Sequence, residues 1–255
     1  MLFALAVVVL GTGCYFLGRW QFHRLHEREA ENTQIRHNLA AAPVPVGVVM
    51  SPERALSPAD EWRRVTARGT YLTAKSVIIR YQTNNGQSGV DVVTPLRTAD
   101  GSAVLVDRGW MQSANSGADK VHPPAPPSGK VTVVGYARVD ATGDSTVVTD
   151  RSARSISSRA IEGSVGVPLY RGFLDAQHQA PAPHRSLVGV EMPDLGNGPH
   201  FFYGLQWWFF GLLAFGGFGY LAWDERRKLA AGKSERPQHA PVDGEHRAGD
   251  EARSG

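Results

Sequence analysis

A histidine followed by regularly spaced aromatic residues is the part of this sequence best suited to chemistry. His200 opens an uncharged apolar stretch, and Tyr203 and Trp207 follow it at intervals of three and four. On a helix this spacing brings the three side chains to one face, which continues through Phe210, Ala214 and Gly217. Such a histidine can hold a porphyrin through one axial bond and ring stacking. The alternative is an aromatic belt around a hydrated histidine, as in ordinary membrane-spanning helices.

Two apolar stretches predict the helices that would position these residues. Residues 1–17 and 201–223 carry no charge, and about 20 apolar residues span a bilayer core. We therefore predict membrane-spanning helices at 1–18 and 199–223. No Lys or Arg precedes the first stretch, which favours a retained anchor over a cleaved signal peptide. A face of small residues on the first helix allows close approach of a helix or a flat ligand: Ala4, Val7, Gly11, Cys14 and Gly18.

The sequence between the helices predicts a helical extension and a separate domain. Residues 19–41 are mostly polar and form the extension and linker. Residues 42–198 contain short apolar runs and turn signals, which predict antiparallel strands in a barrel-like arrangement. Residues 169–174 and 187–191 are two of these strands. Residues 224–255 have few large apolar side chains and are predicted to be disordered. The fold class is thus an α+β membrane protein, with two transmembrane helices flanking an extracytoplasmic antiparallel β-rich domain.

Charge gives two signals about orientation. Arg226, Arg227 and Lys228 follow the second helix and favour a cytoplasmic tail. Arg19 and Arg24 follow the first helix and favour the opposite orientation. Because long loops cross a membrane largely regardless of charge, we give the tail more weight. Both termini are then predicted to be cytoplasmic and the central domain extracytoplasmic, in a multi-pass protein of the cell membrane.

Composition argues against several classes of function. The net charge of +3 comes from scattered residues and does not predict nucleic-acid binding. A single cysteine, Cys14, excludes a disulfide framework within the chain and a cysteine-based metal site. The sequence lacks the P-loop, the HExxH motif, the nucleophile elbow and CxxC. We therefore predict a protein that is not an enzyme.

Several motifs together resemble one known family. Gly18 to Arg24 matches GxWQxxR, and Val104 to Trp110 matches VLVNRGW with Asp107 in place of the usual Asn. Further matches are residues 62–71, an arginine and glycine strand, then Gly86, Gly89 and Thr94 to Leu96. A last pattern, N-x-HxxY-x-x-x-W, corresponds to Asn197, His200, Tyr203 and Trp207, with one extra residue before the histidine. In this order the motifs resemble the surfeit locus protein 1 family, the cytochrome c oxidase assembly factors of bacterial and mitochondrial inner membranes.

The resemblance implies a non-enzymatic factor that assists delivery or insertion of haem a into haem–copper cytochrome c oxidase. It implies His200 as the axial ligand of the haem iron, with Tyr203 and Trp207 beside the cofactor. The implied partners are cytochrome c oxidase subunit 1, haem a synthase and the lipid bilayer. Two alternatives stay open: a scaffold for oxidase subunits without a cofactor, and a membrane-anchored extracytoplasmic solute sensor.

Two further motif groups have both a docking and a structural interpretation. The first group consists of Trp20, Gln21 and Arg24. It is predicted either to dock a partner or to anchor the first helix at the membrane surface. The second group consists of Arg108, Gly109 and Trp110, and is predicted either to dock a partner or to form a tight turn and part of the core. In the docking interpretation, Arg108 meets a haem propionate or a subunit carboxylate.

Overall fold

The chain divides into two compact units. The computed structural model describes residues 2–113 and 121–234. One unit, here called the helical unit, comprises Met1–Leu25 and Gly198–Gly255, and the other, here called the domain, comprises His26–Asn197. Helix α1 (Leu2–Ala40) contributes to both units, and helix α4 (His200–Ser234) belongs to the helical unit.

Both long helices are apolar enough to cross a membrane, over Leu2–Ala40 and His200–Ala230. Many of their large apolar side chains are exposed, for example Phe16 and Phe202. The two helices are therefore compatible with membrane anchoring. Helix α1 continues without a break to Ala40, and no Gly or Pro interrupts its polar half. Helix α4 runs past the predicted end at residue 223 to Ser234, and the rest of the predicted disordered tail, 235–255, lies outside the described residues.

The polar half of α1 is tied to the domain by buried amides. Asn32 is 3% exposed, and its Nδ2 donates to the Leu195 carbonyl at 3.1 Å. Asn38, also 3% exposed, donates to the carbonyls of Ala59 and Glu61, both at 2.8 Å. Since buried amides need such partners, these bonds explain how a polar helix packs without an apolar face.

Within the described residues, the domain contains eight strands and two further short helices. The strands are β1 (Val44–Pro45), β2 (Arg64–Tyr71), β3 (Val77–Asn84), β4 (Gln87–Arg97), β5 (Ala103–Gln112), β6 (Val131–Arg138), β7 (Ser152–Ala153) and β8 (Leu169–Ala180). The helices are α2 (Val46–Val49) and α3 (Ser158–Val165), with 3₁₀ turns at Pro58–Asp60, Thr73–Lys75 and Asp144–Thr146. The predicted strand at 187–191 is wrong: it is reduced to one bridge between Val188 and Trp110. The strand predicted from Leu169 is longer than expected.

The sheet is mixed, in the order β1-β2-β6-β8-β5-β4-β3-β7. The antiparallel prediction holds for part of the sheet. It is wrong for β1–β2, β3–β7 and β5–β8, which pair in parallel. A long connection that includes β6 and α3 separates β5 from β8, and such a connection lets two neighbouring strands run in the same direction. Strand β2 pairs first with β6 and then, at Thr70 and Tyr71, with β4. The barrel-like form stays a prediction.

Alternating apolar residues on these strands form the core. One buried cluster includes Met50, Val65 and Leu174, and a second includes Ile79, Leu105 and Ile161 of α3. Glycine is required where β2 changes partner, since a Cβ atom on Gly69 would lie 2.1 Å from the Arg97 carbonyl oxygen.

Candidate functional site

The helical unit is held together by a seam of small residues. The predicted small-residue face of α1 is confirmed: Val7, Gly11, Cys14 and Gly18 are buried and Ala4 is half-buried. A Cβ atom added to Gly211 of α4 would lie 3.3 Å from the Cys14 Cβ. Small residues permit this close backbone approach.

Three aromatic side chains fill the space that glycines leave on the opposite helix. The pairs are Trp208 over Gly18, Phe215 over Gly11 and Phe22 over Gly204, where an added Cβ atom would lie 2.2, 2.1 and 2.8 Å from the ring. Later residues of α1 pair with earlier residues of α4, from Gly11 with Phe215 to Phe22 with Gly204. The two helices therefore run antiparallel. The rings of Phe22 and Trp208 are also in contact, with centroids 4.7 Å apart.

The face of α4 that packs against α1 is not the aromatic face that begins at His200. Tyr203 and Phe210 of the aromatic face are 48% and 43% exposed. Gly204 and Gly211 are buried in their place, while Trp207 is half-buried. The reason is steric: close backbone approach requires residues without side chains, so the glycines face α1 and the neighbouring aromatic rings turn outward.

His200 lies at the end of this seam and is held by α1. Its Nδ1 is 2.9 Å from Oε1 of Gln21, a residue 179 positions away in sequence. In the tautomer with the proton on Nδ1, this contact is a hydrogen bond to the amide oxygen, which can only accept, and the lone pair of the ring then lies on Nε2. A side chain at Gly198 would come within 3.5 Å of Nε2, and this position adopts a φ of +64° that suits glycine. The Nε2 edge of the ring is thereby left accessible on that side.

Two aromatic side chains follow His200 along the same stripe of α4. At 100° per residue, Tyr203 and Trp207 fall within about 60° of His200 around α4. Trp207 is half-buried, and its ring meets Phe210 edge-on at a centroid separation of 6.2 Å. The three residues of the predicted cofactor site therefore share a stripe of α4 that opens sideways. Gln21 was predicted only as a motif residue, and its direct contact with His200 was missed.

The other motif residues near the first helix differ in exposure. Trp20 is 53% exposed on α1, and Arg24 is exposed one turn further along. Gln21, between them in sequence, is half-buried. Of this motif, Gln21 contacts the predicted site through His200.

The second motif group lies in the domain, on β5. Gly109 has a φ of +120°, and a Cβ atom there would lie 2.3 Å from the Val188 carbonyl oxygen. Trp110 and Val188 exchange backbone hydrogen bonds of 2.8 and 2.9 Å. Arg108 is 6% exposed and donates to the Pro124 carbonyl at 2.9 Å. These contacts agree with the structural interpretation of the motif, and the docking interpretation stays a prediction.

The domain also contains a cavity that the sequence did not predict. It has a volume of about 410 Å³ and is lined by acidic groups from several strands. The carboxylates are those of Glu61, Asp91, Asp107, Asp140 and Asp175, and the cationic groups are Arg138 and Arg154. Arg138 pairs with both Glu61 and Asp175 and stacks over the Trp62 ring at 4.0 Å.

Burial perturbs the three carboxyl groups at the centre of this cavity. Burial, with the charge of Asp175 added, raises the pKa of Asp91 to about 7. Burial and the charges of Asp91 and Asp175 raise the pKa of Asp107 well above its usual value, although the Gly109 N–H donates to Asp107. Burial also raises the pKa of Asp175 to about 6 and outweighs its pairing with Arg138. Among the described residues, no group of three or more His, Cys, Asp or Glu is arranged to hold a metal ion.

The fold and the site together define a class: a folded β-rich domain carried between two apolar helices that pair through glycines. The family model of the SURF1 family matches residues 8–212 of this chain. SURF1-like proteins of Mycobacterium bovis and Mycobacterium tuberculosis are each 32% identical over 258 residues, covering 97% of this chain and 92% of the relative. The chain belongs to the SURF1 family.

A more distant relative carries a functional name. The cytochrome oxidase assembly protein SHY1 of Saccharomyces cerevisiae is 25% identical over 122 residues, which is 47% of this chain and 29% of the yeast protein. The predicted family resemblance is thus confirmed.

Proposed function

We propose that this chain is a non-enzymatic assembly factor for haem–copper cytochrome c oxidase that assists the insertion of haem a into subunit 1. Membership of the SURF1 family supports the assembly role, as does similarity to the yeast cytochrome oxidase assembly protein. Two apolar helices support anchoring in the cell membrane. We place the domain on the extracytoplasmic side and both termini in the cytoplasm.

The hydrogen bond between Gln21 and His200 carries the haem part of this proposal. It fixes the ring orientation and leaves the Nε2 lone pair available, as for histidines that bind metals elsewhere. The haem iron would accept this lone pair as an axial ligand. Tyr203 and Trp207 would flank the porphyrin.

The closed seam argues for a lateral, reversible site. Gly11, Gly18 and Gly211 bring the helices into contact, so a flat ligand would bind beside them and not between them. A single axial ligand on an open side suits a carrier, because tighter ligation would slow release. Haem a synthase would be the donor and oxidase subunit 1 the recipient.

The test is a reduced-minus-oxidised spectrum of the detergent-purified chain, produced together with the enzymes of haem a synthesis. We expect a haem a band in the parent and its loss in His200→Ala. Gln21→Leu should keep the fold but weaken or shift the band, because the ring loses its orientation. His178→Ala is the matched control, since this histidine is exposed on β8 of the domain.

The same variants would be introduced into a deletion strain. Loss of oxidase activity with unchanged total haem supports an assembly role. No haem a band in parent or variants, together with restored oxidase activity, would reject the carrier and favour a scaffold for oxidase subunits. Unchanged oxidase activity in the deletion strain would reject the assembly role itself.

A further inference from the structure

The outer face of the sheet carries a concentrated group of cations. In the register of the sheet, Arg68 is opposite Thr132, and Thr70 is opposite Arg97. Directly opposed residues project to the same face of a sheet, as do residues two apart on one strand. Lys130 precedes Thr132 by two positions and adds a third cation. These side chains line a groove of about 540 Å³, here called the basic groove.

The basic groove forms where strand β2 exchanges partners. Gly69 and Val131 lie opposite each other in the pairing of β2 with β6 and border the groove, with the Val131 side chain buried in the core on the other face. Gly69 has no room for a side chain because the Arg97 carbonyl lies against it. The backbone geometry that opens the groove thus also brings Arg97 beside β2.

The cations of the basic groove lack internal counter-charges. Among the described residues, no carboxylate lies within 4.0 Å of Arg68, Arg97 or Lys130, and all three side chains are exposed. The nearby Asp100 is already engaged, since it accepts hydrogen bonds from Thr98 and Tyr170. Those bonds lower the pKa of Asp100, with Thr98 the largest cause.

We propose that the basic groove docks an extended acidic segment of a partner protein. Three cations, from β2, from β4 and from the position before β6, surround the groove with threonine hydroxyl groups between them. An extended segment with alternating acidic and apolar side chains would turn all its acidic side chains toward this face. A single phosphate is compact and would engage only part of a groove of this size. The inference concerns the domain alone and does not depend on haem binding at His200.

The experiment measures fluorescence anisotropy of a labelled hexapeptide of alternating Asp and Val, titrated with the full chain in nonionic detergent. We expect saturable binding that weakens when salt rises from about 50 to about 300 mM, because screening shortens the range of charge interactions. Arg68→Glu with Arg97→Glu should weaken binding by about tenfold or more. Within residues 2–113 and 121–234 neither side chain has a hydrogen bond or an ion pair, so this double variant should fold normally, as circular dichroism would verify.

A matched double variant separates the groove from general charge. Arg159→Glu with Arg185→Glu changes the net charge equally at exposed positions elsewhere in the domain and should leave binding within about twofold. Equal loss in both double variants would overturn the proposal, as would equal binding of an Asn/Val peptide. Displacement of the peptide by phosphatidylglycerol vesicles or by inorganic phosphate, but not by unlabelled peptide, would also overturn it and indicate an anionic lipid surface or a phosphate site. If the peptide fails to bind while the haem a band persists, the docking proposal is rejected and the haem proposal is unaffected.

Discussion

Replacing Asp91 with Asn should stabilise the domain at neutral and higher pH. Asp91 is half-buried in the acidic cavity, and its pKa is raised to about 7 by burial first and by the charge of Asp175 second. In the unfolded chain the same carboxyl titrates near 3.8. Folding therefore takes up a proton between about pH 4 and pH 7, and the free energy of unfolding falls as pH rises across this window.

The magnitude follows from the size of the shift. Each pKa unit corresponds to about 1.4 kcal/mol, so a shift of about three units sets a ceiling of about 4 kcal/mol above pH 7. Partial exposure reduces this penalty, and we expect Asp91→Asn to recover about 1–3 kcal/mol at pH 8. For a domain of this size that is a rise of about 2–12 °C in Tm. At about pH 4 the carboxyl is protonated in the folded chain and about two-fifths protonated in the unfolded chain, so most of the gain should disappear.

The assay is thermal unfolding of the full chain in detergent, followed by the β-sheet signal in circular dichroism between about pH 4 and pH 8. The parent should lose stability as pH rises, and Asp91→Asn should flatten this dependence. Asp150→Asn is the control, because Asp150 is exposed and has a φ of +49°, which Asn tolerates. A parent with constant Tm across this range would refute the reasoning. So would a variant destabilised equally at both ends.

Two further predictions concern the acidic cavity and the glycine seam. Asp107→Asn keeps an acceptor for the Gly109 N–H. It also removes a carboxyl group whose pKa is raised by burial and by neighbouring carboxylates, which disfavour its ionised form. Tm at pH 7 should therefore rise, and a fall would contradict this interpretation. Gly18→Leu should separate α1 from α4, because an added Cβ would lie 2.2 Å from Trp208 Nε1, whereas Gly13→Leu meets nothing within 4 Å. Fluorescence transfer between labels at the two helix ends should fall only in Gly18→Leu, and equal transfer in both variants would count against the glycine seam.

The sequence predicted the helices and strands of this fold better than the pairing between strands. The helix pair, the α1 extension and most strands follow from local patterns of apolar, glycine and proline residues. The parallel pairing of β5 with β8 joins residues such as Leu105 and Phe173, and no local pattern specifies such distant contacts. On α4, the aromatic spacing predicted a face that contains Tyr203. The residue that packs against α1 is instead Gly204, because a ring is too bulky for the closest approach of the two backbones.

The acidic cavity was missed although a signal for it was present. Asp91, Asp107 and Asp175 each directly follow a buried apolar residue in a strand. An ionisable residue inside an apolar strand run is costly unless it is paired or neutralised, so each of the three is unusual by itself. Their convergence depends on β4, β5 and β8 being neighbours, which could not be predicted from the sequence.

The contact between Gln21 and His200 gives a physical reason why two distant motifs occur together. One motif ends the apolar half of α1 and the other opens α4, and the antiparallel glycine seam brings these two ends side by side. A shift of one residue in the seam would turn His200 by about 100° around its helix and break the hydrogen bond. The glycines that close the seam therefore also determine the orientation of the imidazole. Substitutions at Gly11 or Gly18 should for this reason disturb His200 even though neither glycine touches it.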